Sequence, residues 1–204
     1  RTGALTPVAK ITPVSIGGVT ITNATLHNQD EIDRKDIRIN DTVLVQRAGD
    51  VIPEIVKVIR EKRSINSKIF LIPKTCPICS SEVVKLQGEV VSRCENLKCS
   101  AKIQGNIEHF VSKNCMNIDG LGTKIVELLI QNNLIENIDD IFYLKSEDLS
   151  NLNRMGEKSA ANIIKSIENA KLTTLARFLS GLGIRHIGQN TAKILDKYCR
   201  GDIT

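Results

Sequence analysis

The chain has 204 residues and no tryptophan, with two tyrosines, four phenylalanines and five prolines. None of its aromatic residues falls within residues 1–69. Single-strand binders that stack bases on aromatic rings depend on such side chains, so that mode is disfavoured for the front third. No apolar run reaches the roughly 20 residues that a membrane-spanning helix needs. No secretory leader opens the chain, which starts Arg1-Thr2-Gly3-Ala4 without Met and reads as a piece of something longer. No Gly-rich loop runs into Lys-Ser or Lys-Thr, which excludes a P-loop. His27, His109 and His186 stand too far apart in sequence to suggest a metal triad or a nucleophile–base pair. Asp139-Asp140 and the set Glu31, Asp33 and Asp36 read as solvated charges.

What is present suits a globular chain, with 41% hydrophobic and 25% charged residues. The formal net charge is +5, unevenly placed. Residues 1–69 carry 11 Lys and Arg against 8 Asp and Glu, residues 70–106 carry 5 against 3, and residues 107–204 carry 12 against 12. A nucleic-acid partner of the last part would therefore be held through backbone dipoles more than through net charge.

Residues 1–69 read as β structure. Val19, Ile21 and Thr25 alternate with polar or small neighbours, as do Val43 and Val45, and β-branched residues crowd Val51 to Ile59. Asn40-Asp41 and Gly49-Asp50 supply turns, so a small barrel or sandwich is expected. Residues 70–106 hold Cys76-Pro-Ile-Cys79 and, after 14 intervening residues, Cys94-Glu-Asn-Leu-Lys-Cys99. Two such pairs can close a tetrathiolate cage on Zn²⁺, whose binding would supply folding energy that so few apolar residues cannot. A redox role for Cys76 and Cys79 is the alternative, and the sequence around them is unlike a thioredoxin βαβ unit. Cys115 and Cys199 read as small buried hydrophobes.

Residues 107–204 switch to helical periodicity, with Ile125, Leu128 and Leu129 on one face and Ile163, Ile164 and Ile167 on another. Three stretches align there: Ile118-Asp-Gly-Leu-Gly122, Leu152-Asn-Arg-Met-Gly156 and Ile184-Arg-His-Ile-Gly188. Four residues after each final glycine stands a small or β-branched residue, Val126, Ala160 or Ala192. The pattern predicts helix, tight hairpin, helix, with glycine freeing the hairpin to adopt positive φ. Each hairpin would feed a helix whose unpaired first amides and dipole favour a phosphate. Gly120, Lys124, Arg154, Lys158 and Arg185 lie at these hairpins as further candidate contacts. The alternative is a helical bundle whose glycines only make turns.

With these pieces in order, the chain resembles the helix-hairpin-helix family of DNA binders and, more closely, the bacterial NAD⁺-dependent DNA ligases over their C-terminal half. The motifs that carry this are Arg1-Thr-Gly-Ala-Leu-Thr-Pro-Val-Ala9, Asn23-Ala-Thr-Leu-His-Asn28, Arg47-Ala-Gly-Asp-Val-Ile-Pro53, the four cysteines, Met155-Gly-Glu-Lys-Ser-Ala160 and Leu182-Gly-Ile-Arg-His-Ile-Gly188. The resemblance implies a multidomain α+β chain: a β-barrel OB-fold at 1–69, a small four-cysteine zinc finger at 70–106, and an all-α helix-hairpin-helix domain at 107–204 with three of four expected hairpins. It implies structural Zn²⁺ on Cys76, Cys79, Cys94 and Cys99. It implies duplex contacts at Arg1, Thr2, Val51 and Ile52, with Arg47 on phosphates, and at the hairpin glycines Gly122, Gly156 and Gly188. Apolar Val51 and Ile52 against a minor groove would stand in for the missing aromatics.

By the same resemblance the parent enzyme seals 3′-OH/5′-phosphate nicks through enzyme–AMP and DNA–adenylate intermediates in DNA replication and repair. Its NAD⁺ and Mg²⁺ belong to an upstream adenylation domain. Ligases adenylate the lysine of a Lys-x-Asp-Gly motif; before Asp119-Gly120 that position holds Asn117, so this chain alone is expected to be inactive. A monomer in the bacterial cytoplasm, associated with the nucleoid and with no membrane contact, is the expected setting. The rival is a non-catalytic OB and helix-hairpin-helix scaffold for branched junctions. A zinc-dependent nuclease fits poorly, since four thiolates close the metal and no carboxylate cluster accompanies them.

Overall fold

The computed structural model describes residues 1–49, 52–153 and 155–201. The chain divides into two compact units, Thr2–Asn96 and Arg1 together with the residues from Leu97 onward.

In the first unit β1 (Val8–Ile16) turns through Gly17-Gly18 into β2 (Val19–Thr25), and β4 (Val43–Ala48) pairs antiparallel with β5 (Ile52–Val58). Both turn glycines have positive φ, +59° and +78°, which a Cβ would disfavour. The sheet order is β1-β2-β5-β4, and among the described residues its two hairpins are joined by the parallel pair Thr25 with Glu54. Register shifts between Lys10 and Val14 and between Leu44 and Val45 curl the sheet into an OB-like half-barrel. Pro13, which has no N–H to give a ladder, falls inside the first shift. Two short strands, β3 (Arg38–Ile39) and β6 (Lys68–Ile69), pair with each other.

One helix in this unit departs from the β expectation. Helix α1 (Gln29–Lys35) is capped by Asn28, whose side chain accepts from the Glu31 amide at 2.8 Å. Asp30 and Glu31 open it and Arg34 and Lys35 close it, each complementing the dipole at its end. Its Ile32 joins Ala24, Leu26, Ile37 and Ile55 in a small core on which Phe70 packs, one residue past the expected domain edge.

The acidic residues around α1 are not simply solvated. Arg34 and Lys35 bond the Glu31 carboxylate at 2.6 and 2.7 Å and hold its pKa down at about 2. Arg63 reaches Asp36 at 2.7 Å and Asp41 at 2.9 Å, and the Asp41 side chain is only 1% exposed. Those bonds keep Asp36 below the usual carboxylate range and raise Arg63 further. Asp140 likewise accepts from the Glu136 and Asn137 amides at 2.8 Å.

The second unit is helical: α2 (Ser100–Val111), α3 (Thr123–Gln131), α4 (Ser146–Ser150), α5 (Glu157–Ala170), α6 (Leu175–Gly181) and α7 (Gln189–Cys199), with a 3₁₀ turn at Asp139–Tyr143. Ile107, Phe110, Leu129, Ile141, Leu149 and Ile167 are fully buried in one core. Three of the chain's few phenylalanines meet there, Phe110 standing edge-on to Phe142 and Phe178 at centroid distances of 6.0 and 6.4 Å. Leu129, Ile163 and Ile167 face inward as periodicity predicts, with Ile125, Leu128 and Ile164 at the margin. Cys115 is buried as expected. Cys199 is exposed, against expectation, because it ends a helix that buries only Ala192. Among the described residues no helix is long and apolar enough to cross a membrane.

Candidate metal centre and nucleic-acid interface

The first cysteine pair sits on a knuckle that closes on itself. The Val83 amide bonds the Lys74 carbonyl at 2.8 Å, the Cys76 amide bonds the Ser81 carbonyl at 2.7 Å, and the Ser80 amide bonds the Cys76 carbonyl at 2.9 Å. Ser80 takes positive φ to make that turn. The second pair comes from two elements. Cys94 ends β8 (Ser92–Cys94), which pairs with β7 (Val83–Lys85), and Cys99 is the N-cap residue of α2. The four sulfurs converge within 4.8 Å of one another. Cys76, Cys94 and Cys99 are buried and Cys79 is half-buried.

The donor set of this cluster suits a cation. Hydrogen bonds from the Ser81 hydroxyl and amide pull the Cys79 thiol down to about 6. Burial, then the neighbouring Cys79, pushes Cys94 up to about 12. Four thiolates cannot share one buried pocket without a positive centre. A soft divalent ion with tetrahedral preference, zinc above all, fits this all-sulfur donor set. Four sulfurs would fill a tetrahedral ion's coordination and leave no open position for a reacting water. Ser81 is the contributor that the cysteine spacing does not announce.

The three aligned stretches fold alike. In each, a backbone bond closes the turn: Leu121 amide to Ile118 carbonyl, Met155 to Leu152 and Ile187 to Ile184, at 3.4, 3.1 and 3.0 Å. Helices α3, α5 and α7 then begin directly after Gly122, Gly156 and Gly188, none of which can offer a capping side chain. The amides of Val126, Ala160 and Ala192 bond the three glycine carbonyls at 3.0, 3.0 and 2.9 Å, and all three of these side chains are fully buried.

The glycines work differently from expectation. Gly122, Gly156 and Gly188 have φ of −76°, −87° and −89°, open to any residue. Positive φ falls two residues earlier, at Gly120 (+93°) and His186 (+68°). The reason is the tight turn itself, whose reversal is made before the extended residue that caps the next helix. A Cβ on Gly120 would also stand 2.6 Å from Ile163, so packing inside the protein demands that glycine. A Cβ on any of the three final glycines would meet nothing within 4 Å. Neither backbone strain nor internal packing requires glycine there.

The remaining candidates are spread over both units. Lys124 and Lys158 are exposed in the first turns of α3 and α5, and Arg185 is exposed in the third hairpin. Ile52 is 55% exposed at the start of β5. Arg47 is half-buried, its Nη1 3.5 Å from where a Gly17 Cβ would stand. Arg1 and Thr2 are exposed. A Cβ on Gly105, midway along α2, would lie 2.5 Å from the Arg1 backbone nitrogen and 3.1 Å from its Cα. Sequence reasoning missed that seat, although a glycine inside a helix was a signal. Val51 and Arg154 lie outside the described residues.

Comparison with known proteins meets this geometry piece by piece. A family model for the NAD-dependent DNA ligase OB-fold domain matches residues 1–67, and one for the NAD-dependent DNA ligase C4 zinc finger domain matches residues 75–101. Two of its parts are thus domains of the NAD-dependent DNA ligase kind. A model of SAM-like helix-hairpin-helix tandems matches residues 114–169, the first two hairpins, and the third repeats their bonding. Curated relatives include the DNA ligase of Syntrophus aciditrophicus (strain SB), 55% identical over 200 residues, which are 98% of this chain and 30% of that protein. The DNA ligases of Bdellovibrio bacteriovorus and Nitrosococcus oceani are 55% and 54% identical over 96% and 97% of this chain, each over 29% of its own length. The chain thus spans about 30% of the length of the curated ligases it matches. The ligase finger model encloses all four cysteines of the cluster.

Proposed function

We propose that this chain is the DNA-gripping part of an NAD⁺-dependent ligase that seals 3′-OH/5′-phosphate nicks in duplex DNA. The observation that carries the reading is the set of three hairpin glycines whose missing side chains nothing inside the protein explains. A ligand backbone drawn up against a helix N-terminus does explain them, because a side chain there would hold a phosphate off the amides. The exposed cations beside them add charge where the phosphates run.

In this reading Arg1, Thr2, Arg47, Val51 and Ile52 contact the duplex from the OB-fold, residues 1–69. Gly122, Gly156 and Gly188 receive phosphates in the helix-hairpin-helix part, residues 107–204, with Gly120 shaping the first hairpin and Lys124, Arg154, Lys158 and Arg185 alongside. Cys76, Cys79, Cys94 and Cys99 hold one structural zinc in the finger, residues 70–106. NAD⁺, Mg²⁺ and the adenylating lysine belong to another domain of the same enzyme, so this chain binds as a monomer and does not seal nicks alone. The setting is the bacterial nucleoid.

The test is a salt-titrated competition among nicked duplex, single strand and four-way junction. Preference for nicked duplex, with affinity falling steeply as salt rises, is the expected outcome. Preference for the junction would favour the scaffold reading. Cys94→Ser checks the metal assignment: zinc content should fall, and a variant with one full zinc per chain would remove Cys94 from the ligand set.

A further inference from the structure

Residues 3–5 diverge from the barrel sheet, whose β1–β2 ladder runs on to the Leu26 amide on the Pro7 carbonyl at 3.0 Å. They lie on the finger instead. The Cys94 amide donates to the Gly3 carbonyl at 2.8 Å, the Leu5 amide donates to the Ser92 carbonyl at 2.9 Å, and Ala4 faces Arg93 in an antiparallel bridge. Strand β8 is therefore the middle of three, with β7 on one side and residues 3–5 on the other. Gly3 makes the geometry possible with φ of +72°, where a β-branched residue would be strained.

Strands β7 and β8 are three residues each. A ribbon that short does not hold itself together in water. Its far end is Cys94, whose sulfur stands 3.5 Å from that of Cys79 within the four-sulfur cluster. Metal–thiolate bonds are the strongest restraint available to it. The order of β8 follows from the cluster, and the order of residues 3–5 follows from β8.

We propose that the finger is the seat of the Thr2–Leu5 segment: a metal ion on the four cysteines fixes β8, and β8 fixes the segment that presents Thr2 to DNA. Gly3 and Leu5 are then positioning residues, and the finger acts on DNA through the chain it holds. This rests on the reading of the cysteines as ligands and of Thr2 as a DNA contact.

Hydrogen exchange at the Leu5 amide tests it directly on the whole 204-residue chain. With zinc bound, Leu5 should be protected. After removal of zinc by a chelator its exchange should rise by about tenfold or more, while the β4–β5 amides keep their rates. Unchanged Leu5 exchange after complete zinc loss overturns the proposal. A second route leaves the metal in place. Gly3→Val should retain one zinc per chain yet expose the Leu5 amide and weaken nicked-duplex binding, and Gly3→Asn, which tolerates positive φ, should restore both. Gly3→Val with a protected Leu5 and full affinity overturns the proposal as well. The underlying reading fails separately: zinc content of Cys94→Ser reports on the ligands, and the affinity of Thr2→Ala reports on the DNA contact.

Discussion

The two units of this chain solve the problem of holding together in opposite ways. The helical unit has a continuous apolar core from Ile107 to Ala170 with three phenylalanines at one end, and it leaves Lys124 and Lys158 on the surface. The half-barrel has five buried hydrophobes in its core and sets ion pairs around them: Arg63 with Asp36 and Asp41, and Arg34 and Lys35 with Glu31. The basic excess of the front third is therefore a poor guide to its partner, since several of its cations are committed to carboxylates of their own chain. The charge-neutral helical part instead keeps Lys124 and Lys158 exposed beside helix N-termini that have no capping side chain. Net charge per segment does not reveal which charges remain available.

The contrast can be broken most sharply at Arg63. Arg63→Met takes two hydrogen bonds from the buried Asp41 carboxylate, which keeps the Arg38 amide, and should destabilise the barrel most. The urea midpoint of the barrel, read from exchange of the β4–β5 amides, should fall while that of the helical core stays in place. Next comes Gly120→Ala, which meets Ile163 and an unfavourable φ together and should cost about 1–3 kcal/mol of helical-unit stability. A thermal melt followed by helical circular dichroism reads it. Gly156→Asp should behave in the reverse sense. Stability should hold, since the position is open and an acidic residue suits a helix N-terminus. Duplex affinity should drop about tenfold, near 1.4 kcal/mol, as the carboxylate occupies the phosphate position. A Gly156→Asp chain that binds as tightly as its parent would make the hairpin glycines mere turns.

The smallest effect lies at Glu31. Its folded pKa of about 2 is below the ordinary 4.5, so its ion pairs contribute fully above pH 4.5 and are lost as pH falls through 2. Glu31→Gln should flatten that part of the pH–stability curve by less than about 1 kcal/mol, because the Arg34 partner is mostly in water. An unchanged acid limb in urea titrations from pH 5 to 2 would show that the pairs contribute nothing.

The parts legible in the sequence are those written in local spacing. The two cysteine pairs and the repeat at Gly122, Gly156 and Gly188 are short-range patterns, and each folds as a unit. Helix α1 was legible too, in Asn28 and Glu31 three residues apart, but its polar face hid it among β-branched neighbours. The Arg63 clamp was not legible, because its partners are 22 and 27 residues away and no local pattern marks them. Nor was the conformation of the final glycines: sequence shows that a glycine recurs, but only the backbone shows that φ is negative there and the Cβ position open.

The half-barrel is, mechanically, two jaws and a latch. Its hairpins are broad ladders, yet among the described residues they pair with one another at Thr25 and Glu54. The His27–Glu54 bond at 3.3 Å spans that joint, while Gln46 to Glu54 at 2.7 Å lies within the β4–β5 hairpin and Lys35 ties α1 to the Ile55 carbonyl at 2.6 Å. Opening that joint breaks fewer backbone bonds than unzipping either hairpin, but it also parts Ala24 and Leu26 from Ile55 in their shared core. Across its span the curved sheet is therefore held by that core as well as by its ladder, and a cut through the latch alone does not free the jaws.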